Sequence, residues 1–177
     1  MIIFNQELIF SSITITFANA AGVRPRQRLL FMEISTPHSD ADWKTYYALR
    51  YKVLREPWNQ PLGSEILADE QDAIHLMATE NGNTIGVARM HESAPKQGQV
   101  RCVAVATDQQ DKGVGKALMH TLEVQAQAKG WKEIVLEARE NAVPFYQSLG
   151  YHIEQESYLL FGEIQHYRMK KALPLSE

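Results

Sequence analysis

Hydrophobic positions recur along this chain with two periods, and the switches between them outline its elements. Residues 73–79 and 84–90 are apolar runs of strand length on either side of Asn81-Gly82, the turn pair that predicts a β-hairpin. A loop over 91–98, carrying Pro95 and Gly98, leads to a further strand. There Val100, Cys102, Ala104 and Ala106 fall on one side and Val103 and Val105 on the other. Beyond Arg101 both sides are apolar, which predicts burial on both faces. The period then lengthens. Val114, Ala117, Leu118, Thr121, Leu122 and Ala126 form a helical stripe, which Gly130 stops. Residues 132–138 read as another strand. Asn141 as N-cap, Pro144 in the first turn and Gly150 beyond the end frame a short helix. Its Phe145 and Leu149 face the core, which turns Tyr146 to a different side. Residues 152–157 and 166–172 form a closing pair of strands joined through residues 159–164.

Upstream, Ser39 caps a helix with Asp42 at the capping-box position. Trp43, Tyr46, Tyr47, Arg50, Val53 and Leu54 give that helix an inner stripe ending before Pro57. The segment 55–65 follows it, and its Trp58 reads as a core anchor more readily than as a substrate contact. Residues 1–31 do not match the rest. An apolar run over 8–17 precedes Ala18-Asn19-Ala20, which has the small-residue look of a cleavage site, yet the lead-in carries Glu7 and no Lys or Arg. The run is short for a bilayer and rich in Ser and Thr. Arg24, Arg26 and Arg28 follow. We read residues 1–31 as an N-terminal extension and 32–177 as a single domain, an extra strand or a loosely attached arm being the other option for 1–31.

Composition narrows the class. With 177 residues, 45% of them hydrophobic, the chain has enough apolar material for one core. A net charge of -3 argues against nucleic acid as the main partner. The lone cysteine, Cys102, excludes an internal disulfide and offers no metal cluster, so a reducing, cytoplasmic setting is expected. In its apolar strand Cys102 reads as a small hydrophobe, not a nucleophile.

The chemistry-bearing stretch is the strand, the polar turn after it and Gly113-Val114-Gly115 at the helix start. The first amides of a helix lack internal partners and carry partial positive charge, so they suit a phosphate. Gly113 and Gly115 would let a diphosphate approach the backbone, with Lys112 and Lys116 adding charge at the rim. The phosphate-loop pattern fails, because Ala117 follows Gly115-Lys116 where Ser or Thr should hold magnesium. The dinucleotide fingerprint fails too, because Leu118 occupies its third glycine position.

What fits is a resemblance to the acyl-coenzyme A site of the GNAT N-acetyltransferases. Val103-Ala104-Val105 followed by Gln110-Asp111-Lys112-Gly113-Val114-Gly115 resembles that family's strand and its Gln/Arg-x-x-Gly-x-Gly/Ala loop. Asn141, Pro144, Tyr146 and Gly150-Tyr151 resemble a second family element, with Tyr151 in place of phenylalanine. The resemblance spans roughly residues 33 to 172. It implies a single-domain α/β (α+β) fold with a mixed, mostly antiparallel sheet splayed at the coenzyme cleft and flanked by helices. It implies acetyl transfer from acetyl-CoA to a primary amine by direct attack, with no metal. On that basis the amides of Val103, Ala104 and Val105 would hold the pantetheine and polarise the acetyl carbonyl. Gln110 to Lys116 would wrap the diphosphate, Asn141 would bind the pantetheine arm or help form its channel, and Tyr146 would protonate the departing sulfur.

The base is open among Glu92, Glu137 and the pair Glu163 and His166. That pair, with Phe161 in register, resembles an ending found in some family members and is favoured. His75 and His91 read as hydrogen-bonded strand residues. A non-catalytic acetyl-CoA sensor on the same fold is the rival reading. The acceptor, whether small molecule or peptide amine, is not legible; the acidic balance mildly suits a cationic one. No membrane partner is expected, and a homodimer is compatible with the family.

Overall fold

The computed structural model describes residues 13–15 and 32–174. Local chemistry starts the first helix, α1 (Asp40–Leu54), as its sequence predicts. Ser39 Oγ accepts from the Asp42 amide at 3.1 Å, and the Asp42 carboxylate accepts back from the Ser39 amide at 3.0 Å. The other helices are α2 (Val114–Ala128) and α3 (Val143–Ser148). Strands β1 (Ile13–Ile15), β2 (Met32–Ser35), β3 (Ile74–Glu80), β4 (Asn83–Ala94), β5 (Gln97–Val105), β6 (Glu133–Arg139), β7 (His152–Leu160) and β8 (Ile164–Ala172) complete the chain. They build one sheet in the order β1-β2-β3-β4-β5-β6-β8-β7. Every pairing is antiparallel except β5 with β6. The expected mixed, mostly antiparallel sheet is therefore what forms.

The sheet separates two apolar clusters. Val114, Leu118 and Leu122 of α2 pack with Leu76, Met90, Val100, Ile134 and Met169 on one side. Tyr46 and Leu49 of α1 pack with Met77, Val87 and Ala104 on the other. Both faces being covered explains why the central strands are apolar on both sides.

Several local expectations need correction. The loop read over 91–98 is a tight turn, since β4 continues to Ala94 and β5 begins at Gln97, with Lys96 at φ +63°. Glu92 thus lies inside a strand. The closing hairpin is likewise longer than read, and only Phe161, Gly162 and Glu163 connect β7 to β8. Asn141 is not an N-cap. It sits in a single 3-10 turn over Glu140–Ala142, which hands the chain to α3 without a side-chain cap.

The facing of β5 also changes. Val87 pairs with Ala104 but Arg89 pairs with Arg101, so β5 carries one extra residue there. The bulge falls at Cys102, whose φ of +54° is left-handed. Val100 and Ala104, read as same-sided, consequently enter opposite clusters. Trp58 joins neither cluster and lies half-buried beside Arg139.

Of the N-terminal segment, Ile13–Ile15 pairs with Met32–Ile34 at the sheet edge. The remainder of the apolar run, the Ala18-Asn19-Ala20 triplet and the arginines at 24, 26 and 28 lie outside the described residues.

Candidate active site

The cleft arises from a change of partners along β5. Its first residues, Gln97 to Val100, pair in parallel with Glu133 to Leu136 of β6. Beyond Val100, β5 pairs with β4 alone, through Arg101, Ala104 and Val105. β6 pairs with β8 along its whole length, and over this stretch Glu137, Ala138 and Arg139 keep only that partner, through Arg168, Tyr167 and His166. Strands bonded outward on both sides must open between them. The inner edges of β5 and β6 are left without ladder partners past Val100, and the bulge at Cys102 increases the divergence.

The β5–α2 connection sits beside this opening. Asp111 and Gly113 both adopt left-handed φ values, +60° and +84°, which fold the loop back on itself. Gly113 occupies the N-cap of α2 with no side-chain cap. Among the described residues nothing accepts from the amides of Gln110 through Lys116, and the first helical bond is Ala117 to Gly113. Free amides at a helix start are the arrangement an anion needs.

The two glycines differ, however. A Cβ on Gly113 would meet nothing within 4 Å, so that backbone is open. A Cβ on Gly115 would come to 3.2 Å from Phe145 Cζ. Its smallness seats α2 against α3, so ligand approach is not the main reason for it. Lys112 and Lys116 are exposed. Gln110 Nε2 points back at the Val105 carbonyl, at 3.4 Å. An open groove lined by Lys116, His120, Ser148 and Lys171 runs between α2 and the end of α3.

Tyr146 is a core residue by its ring, 9% exposed and edge-on to Phe145 and Tyr151. Its hydroxyl makes no hydrogen bond among the described residues, yet it is not one of the enclosed unpartnered atoms, so it looks out of the core. Burial pushes the phenol well above its usual range, and the nearby Arg139 charge opposes that. The hydroxyl is therefore a neutral donor at physiological pH.

His166, opposite Arg139 in the β6–β8 register, is buried. Nδ1 donates to the Ile164 carbonyl at 2.9 Å, which leaves Nε2 as the lone-pair nitrogen. The ring stacks on Tyr158 at 4.8 Å. Burial holds its pKa below the ordinary histidine value despite that carbonyl, so it stays unprotonated near neutrality. Arg139 stands opposite His166 in the sheet register, and its charge acts on both Tyr146 and His166.

Other candidates disperse. Glu163 stands exposed in the β7–β8 turn and makes no hydrogen bond or ion pair with His166 among the described residues. Glu92 is exposed and receives the Lys96 amide at 3.0 Å. Glu137 is bound by Arg168 at 3.2 Å. Asn141 is exposed with no hydrogen bond among the described residues. His75 is the hydrogen-bonded residue it was read to be, joined to the Tyr46 hydroxyl and the Glu70 carbonyl. His91 instead keeps an enclosed Nδ1 without a partner.

Sequence reading missed Arg139, Arg55 and the position of Cys102. An arginine closing the Glu133–Arg139 strand, two residues before Asn141, was the available signal for the first. The bulge at Cys102 left no trace in the apolar pattern.

No helix among the described residues is long and apolar enough to cross a membrane, and no group of metal-ligating side chains assembles among them.

Comparison with known proteins agrees with this geometry. The model of the family described as "Acetyltransferase (GNAT) domain" matches residues 47–173. The chain is 28% identical over 128 residues to YjcF, an uncharacterized N-acetyltransferase of Bacillus subtilis, covering 72% of this chain and 91% of that protein. A Lactobacillus plantarum protein assigned as an N-acetyltransferase superimposes with a TM-score of 0.72 at 21% identity, over 81% of this chain and 99% of that one. An aminoglycoside 6'-N-acetyltransferase solved with coenzyme A does so at 0.69 and 14% identity, over 81% and 98%. With its splayed β5 and β6, its uncapped loop and a family match over most of its length, the chain belongs to the GNAT acetyltransferases.

Proposed function

We propose that this acetyltransferase moves an acetyl group from acetyl-CoA to a primary amine by direct attack within a ternary complex, in the cytoplasm. The observation that carries the coenzyme assignment is the run of unpartnered amides from Gln110 to Lys116 ahead of an open Gly113. These amides, with Lys112 and Lys116, would hold the diphosphate. The inner edge of β5 at Val103, Ala104 and Val105 would pair with the pantetheine amides and aim the thioester into the cleft. Asn141, which is exposed, would reach the same arm. A fold neighbour solved with coenzyme A supports this use of the fold.

The chain's own residues then manage one proton at each end. When the amine nitrogen bonds to the acetyl carbon it gives up a proton, and His166 Nε2, left with its lone pair by the Nδ1 bond to Ile164, would take it. As the carbon–sulfur bond breaks, the leaving sulfur needs a proton, and the Tyr146 hydroxyl is the unsatisfied donor. A proton passed from His166 back to tyrosinate through solvent restores both groups. Glu163 stays in this proposal only as a rim residue, since it does not meet His166.

The test is Tyr146→Phe, measured by thiol release and by coenzyme A titration. Turnover is expected to fall by about 10²–10⁴-fold, with coenzyme affinity within a factor of about two. Unchanged turnover would remove Tyr146 from the reaction. An acetyl-CoA thermal shift near zero would overturn the coenzyme reading itself.

A further inference from the structure

Two guanidiniums meet at one wall of the cleft. Arg55 follows the last turn of α1 and Arg139 ends β6. Arg55 Nη1 and Arg139 Nη2 donate to the same acceptor, the Leu54 carbonyl, at 3.1 and 3.3 Å. Arg55 Nε also donates to the Ser64 carbonyl at 3.1 Å. Among the described residues neither arginine has a carboxylate partner, whereas Arg50, Arg89 and Arg168 all do. Glu137, on the same face of β6 as Arg139, is taken by Arg168.

Each guanidinium lies over an aromatic ring. Arg139 lies 5.9 Å from the Trp58 ring centroid and Arg55 lies 5.9 Å from that of Phe161. Arg55 Nη2 and Arg139 Nε and Nη1 are neither hydrogen-bonded nor enclosed, so they face open space. Two like charges sharing one carbonyl repel each other, and burial together with Arg55 accordingly lowers the Arg139 pKa. A planar anion lying between the two edges would relieve the repulsion and satisfy the donors in the paired geometry that arginine favours.

The place of this fork selects the ligand. Arg139 faces His166 across the sheet register, and its charge acts on the Tyr146 phenol, so the anion would sit on the side of the cleft that carries the proposed base. We infer that the acceptor is a small amino-carboxylate, such as an α-amino acid, whose carboxylate is held by Arg139 and Arg55 between Trp58 and Phe161. This specifies the acceptor class within the acetyl-transfer reading above and rests on it. It also reverses the sequence-level leaning towards a cationic acceptor, because the cleft wall is basic although the chain as a whole is acidic.

The experiment uses the full chain with acetyl-CoA and matched pairs of amines, each an amino acid and its carboxamide, read by thiol release. For the best acceptor, kcat/KM for the acid should exceed that for the amide by at least about tenfold, since the amide forfeits charge-assisted hydrogen bonds. Arg139→Lys and Arg55→Lys keep the charge but lose the planar fork, and each should shrink that ratio by at least about tenfold. A readout free of turnover is quenching of tryptophan fluorescence in enzyme saturated with coenzyme A. An N-acetylated amino acid should bind at least about tenfold tighter than its amide.

Amides used as well as acids, or a ratio untouched in both variants, overturns the inference. So does an outcome in which the variants impair only transfer from succinyl-CoA to a neutral amine, because the carboxylate site would then belong to the acyl donor. If acetyl-CoA gives no thermal shift and no amine releases thiol, the acetyl-transfer reading fails first. Ordinary release without acid preference sinks the acceptor inference alone.

Discussion

Gly86 in β4 sets how closely α2 approaches the sheet, and replacing it tests whether that approach positions the coenzyme loop. A Cβ built on Gly86 stands 2.6 Å from Val114 Cγ1 and 3.0 Å from Leu118 Cδ1. Both neighbours are buried, at 3% and 0% exposure, so neither can swing aside into solvent. Carbon atoms settle at about 3.5–4.0 Å, so Gly86→Ala forces the start of α2 outward by about 1 Å. Overpacking of this kind costs about 1–3 kcal/mol. At this chain length that lowers Tm by roughly 2–12 °C. Val114 is the first residue of α2, so the displacement also carries the free amides away from their present positions. Loss of one hydrogen bond to a charged phosphate, at about 1.5–3 kcal/mol, corresponds to roughly 10–150-fold weaker coenzyme A binding. Gly82→Ala is the control. Its left-handed φ, +79°, makes that substitution strained by itself, whereas Gly86 carries no such φ, but a Cβ there meets nothing within 4 Å and the residue lies in the β3–β4 turn. Calorimetric melting and coenzyme A titration of both variants decide the matter. A Gly86→Ala protein that melts like wild type, or that binds coenzyme A no worse than Gly82→Ala, refutes the packing argument.

Three further outcomes follow from the buried polar groups and the caps. Glu70→Gln removes the carboxylate that meets Arg50 at 2.7 Å and Arg89 at 3.5 Å. Both arginines are fully buried; Arg89 keeps Asp69 at 3.1 Å, but Arg50 loses its carboxylate partner, which should cost about 3–5 kcal/mol in urea unfolding, and a loss below about 1 kcal/mol would show that solvent reaches Arg50. His75, His91 and His166 are all held below the ordinary histidine pKa, mainly by burial. Between their folded values and the unfolded value of about 6.5 the unfolded chain binds more protons. Their contribution is thus complete above about pH 6.5 and is lost as pH falls through the folded values. Urea midpoints should therefore drop on acidification below that point, and the acidic limb of kcat/KM assigned to His166 should lie below about 6.5 and vanish in His166→Gln. Ser39→Ala opens the capping box of α1 and should lower stability by about 1 kcal/mol, with no effect on the coenzyme A dissociation constant.

The sequence alone determined whatever depends on near neighbours. Ser39 with Asp42, Asn81-Gly82, Gly113 and Gly130 specify caps and turns through one residue's own φ or a bond three positions away. Periods of two and near three and a half place α2 and the central strands, because each residue in those stripes faces the same core. The loop Gln110–Lys116 was legible for the same reason, its uncapped amides being a property of one continuous segment. Contacts between distant segments were decided elsewhere. A single extra residue at Cys102 sent Val100 and Ala104 to opposite faces, and nothing in an apolar run records on which residue a strand will bulge. Asn141 lost its capping place to a 3-10 turn, and Glu163 was carried to a hairpin tip away from His166. Arg139 reaches the Leu54 carbonyl 85 positions away, where it meets Arg55. Spacing along a chain fixes direction only within an element. Which charges end side by side in the cleft is set by the sheet order and by the point at which β5 and β6 part.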